Sequence, residues 1–372
     1  SSDWGQYSPT RNEAMFADSV ILTNPNFVMK TNMLYYYTDT EIAKIVSPTE
    51  ITTSDGTFVY SENGRYDTRN SWADLLDRSY IIKDMRRIEG DSLHYDDTRN
   101  LSEAFGQVVI NDADNYCMLL GNRCEYNDST GYAMATDSAV LLDYSSLDTM
   151  YVHGDTLKMF TYNMNTDSVY RNLHIYHKVR MFRNDIQGVC DSLVMLSKDS
   201  CTYLYGQPIL WNESQQIFGE EIRVYNNDST IDWVHIVNQA MTIEKVDSVS
   251  YNQVASREMF SFFSGCEIEH TEAHGNVYVA YFIDEDNGAR IGMNYTETSK
   301  MHLYLKDRKV HKIWMPSSTG VIYPPTQIPQ DRRYLTGFAW FDYIRPKNKE
   351  DIFVWQSKSE KDMLKATEKR NV

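Results

Sequence analysis

A strand-turn-strand unit recurs about every thirty residues along this chain. A repeat at that period dictates a stack of similar supersecondary units before any side-chain chemistry is considered. The unit is most legible as Arg65-Tyr66-Asp67-Thr68-Arg69-Asn70 and again as His94-Tyr95-Asp96-Asp97-Thr98-Arg99-Asn100. The tyrosines ahead of the turn stand at Tyr37, Tyr66, Tyr95 and Tyr126, with gaps of 29, 29 and 31 residues, and a looser copy follows at Val224-Tyr225-Asn226-Asn227-Asp228-Ser229-Thr230. In the first strands of six units, 91–95, 122–126, 155–159, 191–195, 220–224 and 266–270, the third and fifth positions are mostly apolar and the second and fourth mostly polar. That period of two buries one side of each strand and wets the other. The intervening turns are rich in Asp, Asn, Ser and Thr, whose side chains hydrogen-bond their own backbone. The second strands open on Gly106-Gln107-Val108-Val109-Ile110 and Gly206-Gln207-Pro208-Ile209-Leu210, with variants at Asp137-Ser138-Ala139-Val140-Leu141 and Asn238-Gln239-Ala240-Met241-Thr242. A glycine there lets the backbone bend at a corner of the sheet. The expected class is all-β, an array of antiparallel strand-turn-strand repeats.

Composition agrees. Tyrosine numbers 27, and β-branched and aromatic residues alternate with small polar ones, as strands require. A net charge of −16 gives no electrostatic footprint for a nucleic-acid backbone, so nucleic acid is excluded as a partner. No apolar run is long enough to span a bilayer as a helix, and the opening Ser1-Ser2-Asp3-Trp4 lacks the regions of a signal peptide. The expectation is a soluble chain from which any export signal is absent. The five cysteines form no C-x-x-C pair. Pairing across a turn at Ser197-Lys198 sets Cys190 near Gly206 and Cys201 near Met195, so no disulfide between them is expected.

Three regions follow. Residues 1–315 form the repeat domain, which begins mid-repeat because Ala17-Asp18-Ser19-Val20-Ile21-Leu22 resembles the second half of a unit. Residues 316–346 hold five of the nine prolines together with several aromatics, and read as a capping or docking segment. Residues 347–372 are dominated by charge and are expected to be frayed.

With these units in place, the chain resembles the organic-solvent-tolerance (OstA-like, LptA-like) family of periplasmic lipopolysaccharide-transport proteins. The resemblance rests on the Gly-Asp-x-Leu-x-Tyr-Asp-Asp type segment at 90–97 with copies at 121–128, 154–159 and 219–225, and on the Gly-Gln-apolar-x-apolar segments at 106–110 and 206–210. A Pro-aromatic run from Pro324 through Asp342 to Phe353 extends it, so that it covers roughly residues 15–353. It implies an elongated, V-shaped or taco-like β-jelly-roll whose apolar inner face holds lipopolysaccharide acyl chains. It further implies a periplasmic, gram-negative setting, no chemistry, and partners among inner- and outer-membrane transport proteins joined by β-augmentation at sheet edges, with head-to-tail self-association as an option. The chain departs from the minimal members in its length and in an insertion near 163–177.

The inner column would comprise Leu93, Tyr95, Val108, Ile110, Cys124, Tyr126, Ala139, Leu141, Leu157, Met159, Leu193, Met195, Leu210, Ile222 and Val224. Closed sheets would make it a dry core; splayed sheets would make it a trough in which each buried methylene contributes about 0.8 kcal/mol. The alternative function is a β-solenoid that binds glycan or protein through an outer, Tyr-rich, acidic face, with Tyr176, Tyr225 and Trp233 prominent. The basic clusters at 177–183 and 306–312 alternate with apolar residues and are expected on the solvated side. His270-Thr271-Glu272-Ala273-His274 lies in a strand rather than the helix that a metalloprotease motif needs, and Asp284-Glu285-Asp286-Asn287-Gly288 lacks the Glu that completes a calcium loop. No metal, cofactor or catalytic residue is expected, and no nucleophile elbow or phosphate loop occurs.

Overall fold

The computed structural model describes residues 1–359 apart from 84, 228, 229, 266, 286, 307 and 308. Among these residues there are 27 strands and a single turn of α-helix, Gln330–Arg333. The pairings are antiparallel throughout, for example between Arg86–Asp96 and Leu101–Asp112 and between Thr230–Lys245 and Tyr251–Ser264. The expected all-β, jelly-roll-like class is the class observed. The chain divides into two compact units, Ser1–Leu173 and His174–Val372.

A pair of successive left-handed residues converts simple hairpins into two-faced rungs. The pairs are Asp18-Ser19, Asp77-Arg78, Gly106-Gln107, Asp137-Ser138, His177-Lys178, Gly206-Gln207, Asn238-Gln239 and Gly275-Asn276. Where the pair lies inside a continuous ladder, two residues of the kinked strand face one of its neighbour, as between Phe105 and Val108 or between Leu76 and Ser79. This is a β-bulge, and it folds the strand over a corner so that its halves belong to different faces. A left-handed residue costs about 1–2 kcal/mol unless it is Gly, Asn or Asp. Seven of the eight first positions are one of these three, and the eighth, His177, belongs to another type enriched in that region. The Gly-Gln signature is therefore the sequence trace of the corner. Asp77-Arg78, His177-Lys178 and Gly275-Asn276 do the same work without the signature. Gly106 has φ +72°, and a Cβ there would stand 2.5 Å from Asp91 Oδ2; Gly206, at φ +79°, meets Cβ of Asp191 in the same way at 2.5 Å.

Three local expectations are revised. Trp4–Ser8 pairs with the first half of Glu13–Thr23, which places a strand ahead of the segment expected to open the array unpartnered. Cys201 faces Leu196 rather than Met195, because a 3-10 turn at Ser197–Asp199, closed by left-handed Ser200, shifts the register by one residue. Cys117, Cys124, Cys190 and Cys201 are all free thiols, and Cys266 lies outside the described residues. Arg180, expected on the solvated side, is 2% exposed.

Arg180 is buried because the Pro-aromatic segment lies along one side of the second unit. Leu335, Ala339, Phe341 and Ile344 pack on Ile209, Trp211, Phe218, Met241, Ile243, Ala280, Phe282 and Met293. These sheet residues lie on the opposite side of their strands from Leu210, Val279 and Thr296, so both sides of this sheet are covered. An irregular segment on an apolar surface needs partners for its backbone polar groups, and three strand side chains supply them. Gln216 Nε2 donates to the Ala339 carbonyl while its Oε1 accepts from the Phe341 amide, both at 2.8 Å. Gln253 joins the Leu335 amide and the Arg333 carbonyl, both at 2.9 Å. Arg180 donates to the carbonyls of Asp351 and Ile344, both at 3.1 Å. The strap continues into the segment expected to fray: Ile352 is 1% exposed and Lys358 Nζ donates to the Gln207 carbonyl at a corner. Residues 360–372 lie outside the described ones.

Candidate lipid-binding inner face

In the first unit the inner side of one face is a ladder of alternating large and small residues. Tyr7, Ala14, Tyr36, Ala43, Tyr66, Ala73, Tyr95, Ser102, Tyr126, Ala133 and Met159 are successive cross-strand partners. The first strand of each unit supplies the ring ahead of its turn, and the second supplies Ala or Ser just after it. Each ring gains room over its small neighbours, the cross-strand counterpart of knobs and gaps. Nearer the corner runs a second row, Leu34, Ile45, Gly64, Leu75, Leu93, Ala104, Cys124, Ala135 and Leu157. The other face supplies Met29, Ile51, Val59, Ile81, Ile88, Ile110, Leu119, Leu141 and Val152, again partner by partner.

The residues predicted from the sequence fall within these rows or their counterparts. Leu93, Val108, Ile110, Cys124, Ala139 and Leu157 are buried, whereas Tyr95, Tyr126, Leu141 and Met159, farther from the corner, are half-buried. In the second unit Leu193 continues through Leu204, Ile222, Ile236, Met259, Ala273 and Met301, and Met195 through Thr202, Val224 and Val234. Leu193, Ile222 and Leu210 are buried; Met195 and Val224 are half-buried. Sequence reading missed Ala43, Ala73, Ala104, Ala133 and Ala135. Their signal, a small residue at the second position of a second strand (Ala43, Ala73, Ala133) or at its fourth (Ala104, Ala135), was available but carries little hydrophobic weight. Burial pushes the Cys124 thiol up to about 12, so it acts as an apolar surface rather than a nucleophile.

Opposite the corner, polar groups of the first unit bridge the two faces. Lys83, at the end of one face, places Nζ 2.7 Å from Asp128 and 3.2 Å from Asp55. The Arg86 guanidinium lies 4.7 Å from the centre of the Tyr126 ring and donates to its hydroxyl. Arg171 donates to Asn115 at 2.9 Å. The Asp128 hydrogen bond leads in raising the Lys83 pKa, and burial leads in raising the Tyr95 phenol, which donates to Asp97 at 2.8 Å. Between the faces at this edge is a cavity of about 30 Å³, lined by Ile81, Ile88, Tyr95 and Tyr126 among others. It is water-sized, too small to hold an acyl chain as it stands.

The outer side is different in kind. In the first unit Asp74 accepts from Arg65 at 2.8 Å and lies 2.6 Å from Nδ1 of His94, beside a depression of about 630 Å³. In the second unit Tyr225 and Trp233 stack at 3.8 Å, and the band continues through Phe262, His270 and Tyr304.

No family model matches the chain, and no curated protein matches it. Among solved structures, LptH, the LptA-homologous periplasmic component of the lipopolysaccharide transport device of Pseudomonas aeruginosa, is similar to 37% of this chain over 95% of its own length. The identity is 15% and the TM-score 0.29, a weak structural likeness.

Proposed function

We propose that this chain is a non-enzymatic lipid carrier of the periplasm that holds the acyl chains of lipopolysaccharide between its two faces, on the way between inner and outer membranes. The observation that carries the reading is the continuity of the inner ladder. Eleven successive cross-strand partners present an apolar surface without a charged side chain, and the polar groups are gathered at the edge opposite the corners. Such a surface favours long apolar ligands non-directionally, since each buried methylene contributes and no fixed hydrogen bond is demanded. The bridges Lys83–Asp128 and Arg86–Tyr126 serve as a latch that parts on loading. Directed movement is driven elsewhere.

Partner proteins would add at the sheet edges. Trp4–Ser8 pairs with one neighbouring strand among the described residues, and so do Lys309–Trp314 and Thr319–Tyr323. These edges expose Trp4, Tyr7, Trp314 and Ile322, a surface suited to β-augmentation or to head-to-tail association of copies. The test is photocrosslinking from Cys124, Leu157 and Ile222 in gram-negative cells, with Lys158 as the outward control and detection by anti-lipopolysaccharide antibody. Adducts from the inner positions alone are expected. Their absence at every inner position of a folded, exported chain would overturn the proposal.

The stacked band of Tyr225, Trp233, Phe262, His270 and Tyr304 favours a second reading, a glycan-binding outer face, since sugars lie flat on aromatic rings. Binding of soluble polysaccharide lost in Trp233→Ala, with the inner positions silent, would select it.

A further inference from the structure

The strand that carries His270, Glu272 and His274 places all three side chains on one side, because they are two residues apart. Its neighbour adds a fourth group: His302 stands directly opposite Glu272 in the register. Glu272 Oε2 is 2.9 Å from His274 Nε2, and Glu272 Oε1 is 3.2 Å from His302 Nδ1. One donor atom from each of the three residues lies within 4.8 Å of the others. In a tetrahedral zinc site with bonds of about 2.0–2.1 Å, neighbouring donors stand about 3.3 Å apart. Each imidazole is thus already about that distance from one oxygen of the Glu272 carboxylate, His274 from Oε2 and His302 from Oε1.

We propose that Glu272, His274 and His302 form a binding site for a first-row divalent cation, zinc above all. Two imidazoles and a carboxylate are donors that suit zinc and leave a fourth position for water. All three are partly buried, with side-chain exposures of 23%, 33% and 13%, which limits competition from solvent while leaving a path in. His270 Nε2, 3.8 Å from the same carboxylate, flanks the site without completing it. Glu258, opposite His274 in the preceding strand, adds negative charge nearby and is itself 3.2 Å from His235. On the other flank Lys300 faces His274. The ion would tie two adjacent strands together on the outer side, a role independent of the inner ladder.

The test uses the full chain, stripped with chelator and titrated with Zn²⁺ and, as a spectroscopic probe, Co²⁺. The expected result is one saturable site per chain, visible absorption typical of low-coordinate cobalt, and a raised melting temperature with zinc. In His274→Ala and His302→Ala zinc affinity should fall at least tenfold and the melting shift should vanish, while His235→Ala keeps both. Should the variants fail to fold, the wild-type chain labelled with ¹⁵N-histidine decides: zinc must move the His274 and His302 ring signals. The absence of saturable binding, or shifts confined to other histidines, would overturn the proposal.

Discussion

Lys83 and Asp128 lie 45 residues apart in sequence, yet Nζ and Oδ2 meet at 2.7 Å across the edge where the two faces of the first unit come together. Lys83 ends the strand that turns over the corner at Asp77-Arg78, and Asp128 follows the strand carrying Cys124 and Tyr126. Both side chains are more than a third exposed, so the pair adds little to stability. Lys83→Met is therefore expected to cost under about 1 kcal/mol while speeding the association of a fluorescent acyl ligand. Urea unfolding and stopped-flow binding check the two halves separately.

The inner side is intolerant of charge. Leu157 is 1% exposed, and Leu157→Asp should destabilise the chain by about 4 kcal/mol or more through an unpaired buried carboxylate. Lys158→Gln, one residue along and on the other side of the strand, should change stability by less than about 1 kcal/mol. A wild-type melting temperature for Leu157→Asp would refute the inner-side assignment.

The corners depend on backbone conformation. Gly106→Ala places a Cβ at φ +72° and within 2.5 Å of Asp91, and is expected to cost about 2–3 kcal/mol from both sources. Gln107→Gly, at φ +44°, should be neutral or mildly stabilising. Denaturant midpoints with unchanged slopes would bear this out.

Acid should weaken the hydrogen-bonded cluster around Asp55. Burial by itself would raise the Asp55 carboxyl, but hydrogen bonds from Thr53, the Thr57 amide and hydroxyl and Lys83 outweigh it and hold the pKa down to about 2, below the ordinary 3.8. A carboxylate depressed on folding stabilises the protein above its unfolded pKa, and that contribution is lost as pH falls from about 4 through about 2. Melting temperature should therefore drop over that interval, and Asp55→Asn should flatten the slope there.

The strap relies on glutamines. Gln216→Leu removes the partners of the Ala339 carbonyl and the Phe341 amide together with the acceptor of Trp211 Nε1. The expected cost is about 3 kcal/mol, from buried polar groups left unpaired. Limited proteolysis should then cut within 324–355 before the strands, and equal resistance of variant and wild type would count against the strap's dependence on Gln216.

The sequence by itself determined the rungs. Period two in 91–95 or 122–126 showed which side of each strand is apolar, the Asx-rich turns showed where the chain reverses, and the Gly-Gln pairs marked two corners because few residues accept a left-handed backbone. Tertiary structure alone decided what covers each side. Ile209 and Trp211 lie on the side that alternation assigns to water, but they are buried because a segment more than a hundred residues away lies over them. Whether Arg180 meets solvent or the Ile344 carbonyl, whether Lys83 finds Asp128, and whether His302 joins Glu272 are equally matters of register between distant strands. Alternation is a property of one strand and fixes its two sides. The partner on each side is set by packing between residues far apart in the chain, which local pattern does not encode.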